Sequence, residues 1–423
     1  NTMLPTFLYA TTNEAPVYES IINNRATKLI NKIQSGTYVT ITGEDNDFYK
    51  VKTAGPDGWM RKTDLADTMG IKIFYLDVGQ GDGILIEVGN LKILIDAGPA
   101  VNMHSYLTKW QYTYLIRSNK PVHIDYVFVS HFDADHYKGL IGILNDKRFT
   151  FGTVYHAGIL KFAEKNNPYN TGLGDTIQHN GIEYLTKIFD DLIQTSEPAA
   201  FNRDITNFMA AVKNAAAENR LGKTKRLVAG DTAVSKTIEN KKFVIDVLGP
   251  FTEKIGGRHR FVYWQDEGKT INGHSLVLKI TFGARTFLFG GDLNTRSELY
   301  LMQQYGNTNP FMVDVAKSCH HGSSDFTEAF MQQVNPFATV ISSGDNESFS
   351  HPRADAIGCA GKYARGNRPL VYSTELARSV SKNKILFGMI NLRCNGTDIY
   401  INQMKEASRP ADMWDAYTLP GAV

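Results

Sequence analysis

The sequence predicts an α/β (α+β) sandwich in which helices cover sheets, preceded by a small all-β unit. Strand-length apolar runs from Ile71 to Ser342 are interleaved with helical patterns, which implies packed layers. Short alternating runs broken by turn residues occupy the chain before residue 70, a rhythm the remainder does not share. With 423 residues, 42% of them hydrophobic, the chain is long enough to bury more than one core.

The first unit spans residues 8–69. Ala15-Pro-Val-Tyr-Glu-Ser20, Lys28-Leu-Ile-Asn-Lys-Ile33, Thr37-Tyr-Val-Thr-Ile-Thr42, Asp47-Phe-Tyr-Lys-Val-Lys-Thr53 and Gly58-Trp-Met60 alternate in the manner of short strands, with Ser35-Gly36 and Pro56-Asp57-Gly58 as turns. A small β-barrel is expected. Val17-Tyr18, Gly36, Gly58-Trp59 and Asp64-Leu65 resemble bacterial SH3-like domains, binding modules for peptides or cell wall. The resemblance implies a peptide or protein partner for this unit.

The second unit is expected over residues 70–405. Ile71–Val88 reads as two strands around a Gly-rich turn, and Leu91–Gly98 as a third ending in Asp96. Further strands are expected at Tyr126–Ser130, Lys242–Leu248, Ser275–Phe282, Thr286–Phe289, Val313–Lys317 and Ala338–Ser342. Residues 157–241 read as a mostly helical insertion. Ile182–Ile193 repeats apolar residues at helical spacing, and Asp204–Gly222 begins with an Asp N-cap. An insertion there is placed to shape the entrance to a site.

Lys+Arg total 45 against 43 Asp+Glu, a formal net charge of +2, so bulk charge predicts no polyanionic partner and any basic surface must be local. Cys319, Cys359 and Cys394 have no metal-finger spacing and fit a reducing, cytoplasmic compartment; the protein would instead be secreted if a leader had preceded this sequence. No apolar run approaches the roughly 20 residues of a membrane-crossing helix, so no membrane partner is expected.

The chemistry concentrates in Val127-Phe-Val-Ser-His131-Phe-Asp133-Ala-Asp135-His136, where a core strand runs into two imidazoles and two carboxylates. If the chain stays extended, His131, Asp133 and Asp135 share one side, and a turn brings His136 alongside. Carboxylates this close repel unless a cation lies between them, and imidazole with carboxylate suits Zn²⁺ or Mn²⁺. Asp292 stands at the end of another apolar strand, Thr286-Phe-Leu-Phe-Gly-Gly-Asp292, where its two oxygens can bridge two metals. His320 and His321 lie before the Gly322 turn, and His351 follows further on.

Leu76-Asp-Val-Gly-Gln-Gly-Asp82, Leu94-Ile-Asp-Ala-Gly98, Ser130–His136, Asn272-x-x-Ser-Leu-Val-Leu278, Phe287–Asp292, Lys317-Ser-Cys-His-His-Gly-Ser323 and His351-Pro352 occur in the order of the metallo-β-lactamase fold. They are most similar to its ComEC-like branch, which includes a DNA-uptake hydrolase domain. The resemblance covers about residues 71–400. It implies a four-layered αββα sandwich and two divalent metal ions, with His131 and Asp133 on one, Asp135 and His136 on the other, and Asp292 bridging. The His320-His321 pair and His351 would supply the remaining ligands. Asp77, Asp96 and Asn272 would support the ligand loops, while Asp82 and Lys317 read equally as scaffold.

Lactamases and glyoxalases carry a histidine where this chain has Asp133. The added carboxylate hardens the site toward Mn²⁺ or mixed use and suits phosphate chemistry. The expected activity is therefore phosphodiester hydrolysis, with Asp135 and Asp292 orienting the nucleophile and His351, or the non-ligating member of the 320/321 pair, serving the leaving group. Nucleic acid, above all DNA, is the leading substrate, and Arg220–Arg226 and Lys254–Arg260 are local basic runs that suit it. The alternatives are a cyclic nucleotide or phosphorylcholine ester, or service in a competence or phage-defence assembly through the SH3-like unit.

Overall fold

The computed structural model describes residues 6–163, 172–196, 201–344, 348–375, 388–409 and 412–419. Two large mixed sheets face each other. In the first, nine strands lie in the order Leu221–Arg226, Phe149–His156, Val122–Val129, Leu91–Ala97, Gly83–Val88, Ile71–Tyr75, Ile390–Cys394, Ile399–Arg409, Asp412–Leu419. In the second, seven lie in the order Thr232–Ile238, Lys241–Gly249, Val277–Phe282, Arg285–Phe289, Val315–Lys317, Ala338–Ile341, Leu370–Ser373.

Period-two alternation explains the layers. Ile71, Ile73 and Tyr75 enter the core between the sheets with Ile84, Ile86, Phe243, Ile245, Leu278 and Phe287. The intervening Phe74 and Leu85 face outward into a core formed with Tyr137, Leu140 and Phe208 of the covering helices. On the far side, Val277 and Leu288 pack with Leu301 and Phe330 of another helical layer. Both faces of each sheet are thus covered, which is why the strands read as continuous apolar runs. Helix, sheet, sheet, helix is the resulting order.

Each sheet is parallel in one half. Leu91–Ala97, Val122–Val129, Phe149–His156 and Leu221–Arg226 run parallel in the first, and Arg285–Phe289, Val315–Lys317, Ala338–Ile341 and Leu370–Ser373 in the second. The carboxyl ends of these strands meet at one edge of the sandwich. In open α/β sheets that edge is where ligands bind.

The N-terminal unit is a seven-stranded antiparallel sheet over residues 7–66 with its own core of Ala10, Ala15, Val17, Val39, Val51 and Met60. Its strand order runs openly from Leu29–Ile33 to Leu65–Ala66, with no described pair closing the ends. It docks on the sandwich through buried Arg393, which donates to Ser35 O at 2.9 Å and Gln34 Oε1 at 3.2 Å, and through Asn13, which donates to Asn402 Oδ1 at 2.8 Å.

The mostly helical reading of residues 157–241 is corrected. Arg203–Ala217 is the long helix of that span, capped by Asn202, whose side chain accepts from Ile205 N; Asp204 pairs with Lys138 instead. Thr176–His179 and Ile182–Leu185 form a hairpin, with Asn180 (φ 51°) and Gly181 (φ 79°) as the left-handed turn pair that such hairpins favour. Beyond it, Asp191 Oδ1 accepts from Ile193 N, and Thr224 Oγ1 accepts from Leu192 N, fixing a turn where helix was expected. Leu221–Arg226 and Thr232–Ile238 extend the two main sheets.

Candidate metal centre

The site forms where the loops after the parallel strands converge. Strand Val122–Val129 ends before Ser130, and helix Ala134–Asn145 begins almost at once, so Asp135 and His136 occupy its first turn. The extended arrangement expected through Asp135 therefore stops at Asp133, which takes the N-cap position with φ −93° and ψ 147°. Asp135 and His136 turn inward, whereas Asp133 turns toward Lys161 and Asn272.

Asp135, His136, Asp292 and His321 come together, each offering one ligand atom within 4.8 Å of the others. Asp292 lies centrally, with Oδ1 3.2 Å from His136 Nε2 and Oδ2 3.2 Å from His321 Nε2. His321 Nε2 is 3.4 Å from Asp135 Oδ2. Burial alone would raise the carboxyls of Asp292 and Asp135; the His136 and His321 imidazoles outweigh it and hold both well below the ordinary carboxylate range. His136 and His321 are raised in turn, against their burial, by Asp292 and the neighbouring carboxylates.

Supporting contacts aim the imidazoles. His136 Nδ1 lies 2.9 Å from Asp96 Oδ2, and Asp96 also accepts from Ser130 N at 2.8 Å and Ser130 Oγ at 2.6 Å. His321 Nδ1 donates to Ser342 O at 3.0 Å. With each Nδ1 engaged, each Nε2 faces inward, and neither Nε2 has a hydrogen-bond partner. Fixing one ring nitrogen so that the other is presented is the usual preparation of a metal-ligating histidine.

His131 is buried beside them, its Nδ1 3.0 Å from Ser130 Oγ and 3.1 Å from Ser275 Oγ, with Nε2 also lacking a hydrogen-bond partner. Burial first, then the adjacent His136 ring, push it well below its ordinary range, so it is a neutral donor. Lys161 Nζ contacts Asp133 Oδ1. With its nitrogen facing the two acceptors around it, the Asn272 amide donates to Asp133 Oδ2 at 2.8 Å and Gly268 O at 3.2 Å.

His320 is more open, with Nε2 3.9 Å from Asp292 Oδ2. His351 Nδ1 lies 3.0 Å from Gln80 Nε2, and its ring centroid is 5.9 Å from that of His320. Both border the group of four without joining it. Asp77 Oδ1 accepts from Gly79 N at 3.0 Å, so its shown contact shapes the Asp77–Asp82 loop. That loop is pressed onto the centre: a side chain on Gly81 (φ 136°) would meet Asp135 O at 2.1 Å.

The undecided pair Asp82 and Lys317 is buried directly behind the centre. They contact each other; Lys317 Nζ donates to Gly291 O at 3.0 Å and lies 3.8 Å from Asp292 Oδ1. Asp82 Oδ2 is 3.8 Å from His136 Nδ1, and Asp82 Oδ1 is 3.5 Å from His321 Nδ1. Gln80, Ser130 and Ser275 lie inside the quoted motifs without a role assigned to them there, whereas a lone lysine at 161 carries no local signal.

The donors fit a divalent cation. Two carboxylates and two imidazoles match the ligand preferences of Zn²⁺ and Mn²⁺, and the inward Nε2 atoms of His136 and His321 together with Asp292 Oδ1 are buried without hydrogen-bond partners.

Residues 76–197 match the family model described as the Metallo-beta-lactamase superfamily. ComE operon protein 3 of Bacillus subtilis (strain 168) is 38% identical over 87 residues, 20% of this chain and 11% of that protein. Competence protein ComA of Neisseria gonorrhoeae is 31% identical over 119 residues, 28% of this chain and 16% of that protein. The matches thus span under a fifth of the length of either relative. Among solved structures, Igni18, a metallo hydrolase from Ignicoccus hospitalis KIN4/I, aligns with TM-score 0.36 and 14% identity over 73% of this chain and 97% of that one. The two facing sheets with helices outside are the metallo-β-lactamase fold.

Proposed function

We propose that this protein is a metal-dependent phosphodiesterase acting on nucleic acid, with DNA the leading substrate. The observation that carries it is the convergence of Asp135, His136, Asp292 and His321, with the inward nitrogens of both histidines facing carboxylates and lacking hydrogen-bond partners. A second ion would take His131, Asp133 and the remaining valence of Asp292. Divalent ions held there would acidify water and neutralise phosphoryl oxygens.

The chain's own residues supply the rest. Asp135, about one-third exposed at its side chain, and buried Asp292 accept hydrogen bonds from the nucleophile and orient it. His351, fixed by Gln80, and His320 stand at the rim, where either donates a proton to the departing oxygen. Asp96, Asp82 and Lys317 hold the imidazoles and Asp292 in place. The similarity to Competence protein ComA, beside that to ComE operon protein 3, supports a nucleic-acid substrate.

A small phosphodiester is the second reading. It is favoured by the crowding of Asp133, whose two oxygens are contacted by Lys161 and Asn272. The N-terminal unit is proposed as an SH3-like module that recruits a peptide or protein. A cytoplasmic location accompanies this reading, because Cys319, Cys359 and Cys394 are free thiols. Among the described residues, no helix is long and apolar enough to cross a membrane.

The test is hydrolysis of bis-p-nitrophenyl phosphate with Mn²⁺ or Zn²⁺, followed by single-stranded DNA, duplex DNA, RNA and cyclic dinucleotides. Activity lost in Asp135→Ala supports the reading. Unchanged activity in that variant removes it.

A further inference from the structure

The two halves of the centre are unequally supplied with charge. Asp135, His136, Asp292 and His321 bring two carboxylates to one place. On the other side, Asp133 is the one added carboxylate beside His131, and it is already engaged at both oxygens: Lys161 holds Oδ1 and the Asn272 amide holds Oδ2. Asn272 can remain while a metal takes Oδ1, since each carboxylate oxygen has two lone pairs. Lys161 cannot, because its ammonium carries the same sign of charge as the metal.

Lys161 is not a loose surface lysine. Its backbone carbonyl accepts from Asn202 N at 3.1 Å, and the next residue, Phe162, donates to Gly172 O at 2.7 Å. Leu160 and Phe162, on either side of it, are buried. Phe162 packs its ring 5.2 Å from Phe201, whose strand bridge with Phe162 ties the segment across the fold. The chain thus presents the ammonium to Asp133 from an anchored segment.

We propose that Lys161 is a built-in competitor for the Asp133 half of the centre: Asp133 exchanges between this ammonium and a second divalent ion, so two ions load with well-separated affinities. The proposal rests on the reading that the centre binds divalent metal. It makes metal stoichiometry a property of this chain, set by one lysine outside the motifs. At low free metal the protein carries one ion on Asp135, His136, Asp292 and His321. At higher metal the second ion turns Lys161 away, leaving its ammonium at the mouth of the site, where a phosphate oxygen is its natural partner.

The experiment is titration of the metal-free full chain with Mn²⁺ by calorimetry, with bound metal counted by mass spectrometry after equilibrium dialysis. Wild type takes one ion tightly and a second more weakly. Lys161→Met, which keeps the stem and removes the charge, tightens the second ion by about tenfold and leaves the first unchanged; Lys161→Gln acts in the same direction, and Lys161→Arg leaves the second ion weak. Asp133→Asn abolishes the second ion, and adding Lys161→Met to it restores nothing. Circular dichroism checks that each variant is folded. Equal second-ion affinities in wild type and both neutral variants overturn the proposal. Absence of binding in wild type and every variant overturns the metal reading itself, a distinct result.

Discussion

The two sheets furnish the centre in opposite ways. The nine-stranded sheet concentrates its share: Asp96 at one strand end, and His131, Asp133, Asp135 and His136 within a single turn into a helix. The seven-stranded sheet disperses its share over successive loops, with Asp292, then His320 and His321, then His351. A contiguous group is held by its own backbone. A dispersed group depends on the packing of parallel strands and on long-range pairs such as Asp82 with Lys317, so it concentrates more consequence in each residue.

The strongest way to break that comparison is Asp292→Asn, which keeps the shape and removes the charge facing both His136 and His321. Phosphodiesterase kcat/KM is expected to fall about 10³-fold, with metal content falling alongside. If both persist, the seven-stranded sheet is not an equal contributor.

Asp96→Asn acts one step back, through the His136 Nδ1 edge on the nine-stranded side. A loss of about 10- to 100-fold in metal affinity is expected, read by calorimetric titration. A larger loss than that from Asp292→Asn would reverse the ranking of the two sheets.

A pH experiment examines the packing behind Asp292. Glu298, in helix Thr295–Tyr305, is buried and accepts from Thr327 N at 2.6 Å and Oγ1 at 2.8 Å. Burial, against those bonds, pushes its carboxyl from 4.5 up to about 8. Between those values the folded chain holds a proton that the unfolded chain releases, so stability falls as pH rises through the window. Glu298→Gln should be near neutral at pH 5 and stabilising at pH 8 by on the order of 3 kcal/mol, measured by urea unfolding. A pH-independent difference would rule this out.

The smallest effect belongs to the Asn180-Gly181 hairpin, which is part of neither large sheet. Gly181→Ala places a side chain at φ 79° and should cost about 1 kcal/mol, lowering Tm by a few degrees with metal affinity unchanged. A change in metal affinity would bring the hairpin into the comparison.

How much of this was legible in sequence follows the same division. The strands of the sandwich declared themselves because burial on both faces leaves continuous apolar runs, and Asp292 and His321 declared themselves as polar residues at the ends of such runs. The direction in which Asp133 points was not legible, because it depends on a helix starting at Ala134 and on Lys161 from another loop. Asp82 and Lys317 looked ambiguous because their pairing spans most of the sandwich sequence. Asn180-Gly181 carries a hairpin signal, but the sequence reading followed the helical spacing from Ile182 onward; the turn prevails because Asp191 and Thr224 satisfy the backbone beyond it.

Arg393 gives the molecule an order of events. Residues 7–66 have a core of their own and precede the sandwich in the sequence, whereas Asn391, Arg393 and Asn402, which fasten them to it, follow most of its strands. At ordinary translation rates the interval is roughly 15–65 s. The N-terminal unit thus spends the making of most of the sandwich as a tethered segment, and its docking waits on the strands that carry Asn391, Arg393 and Asn402.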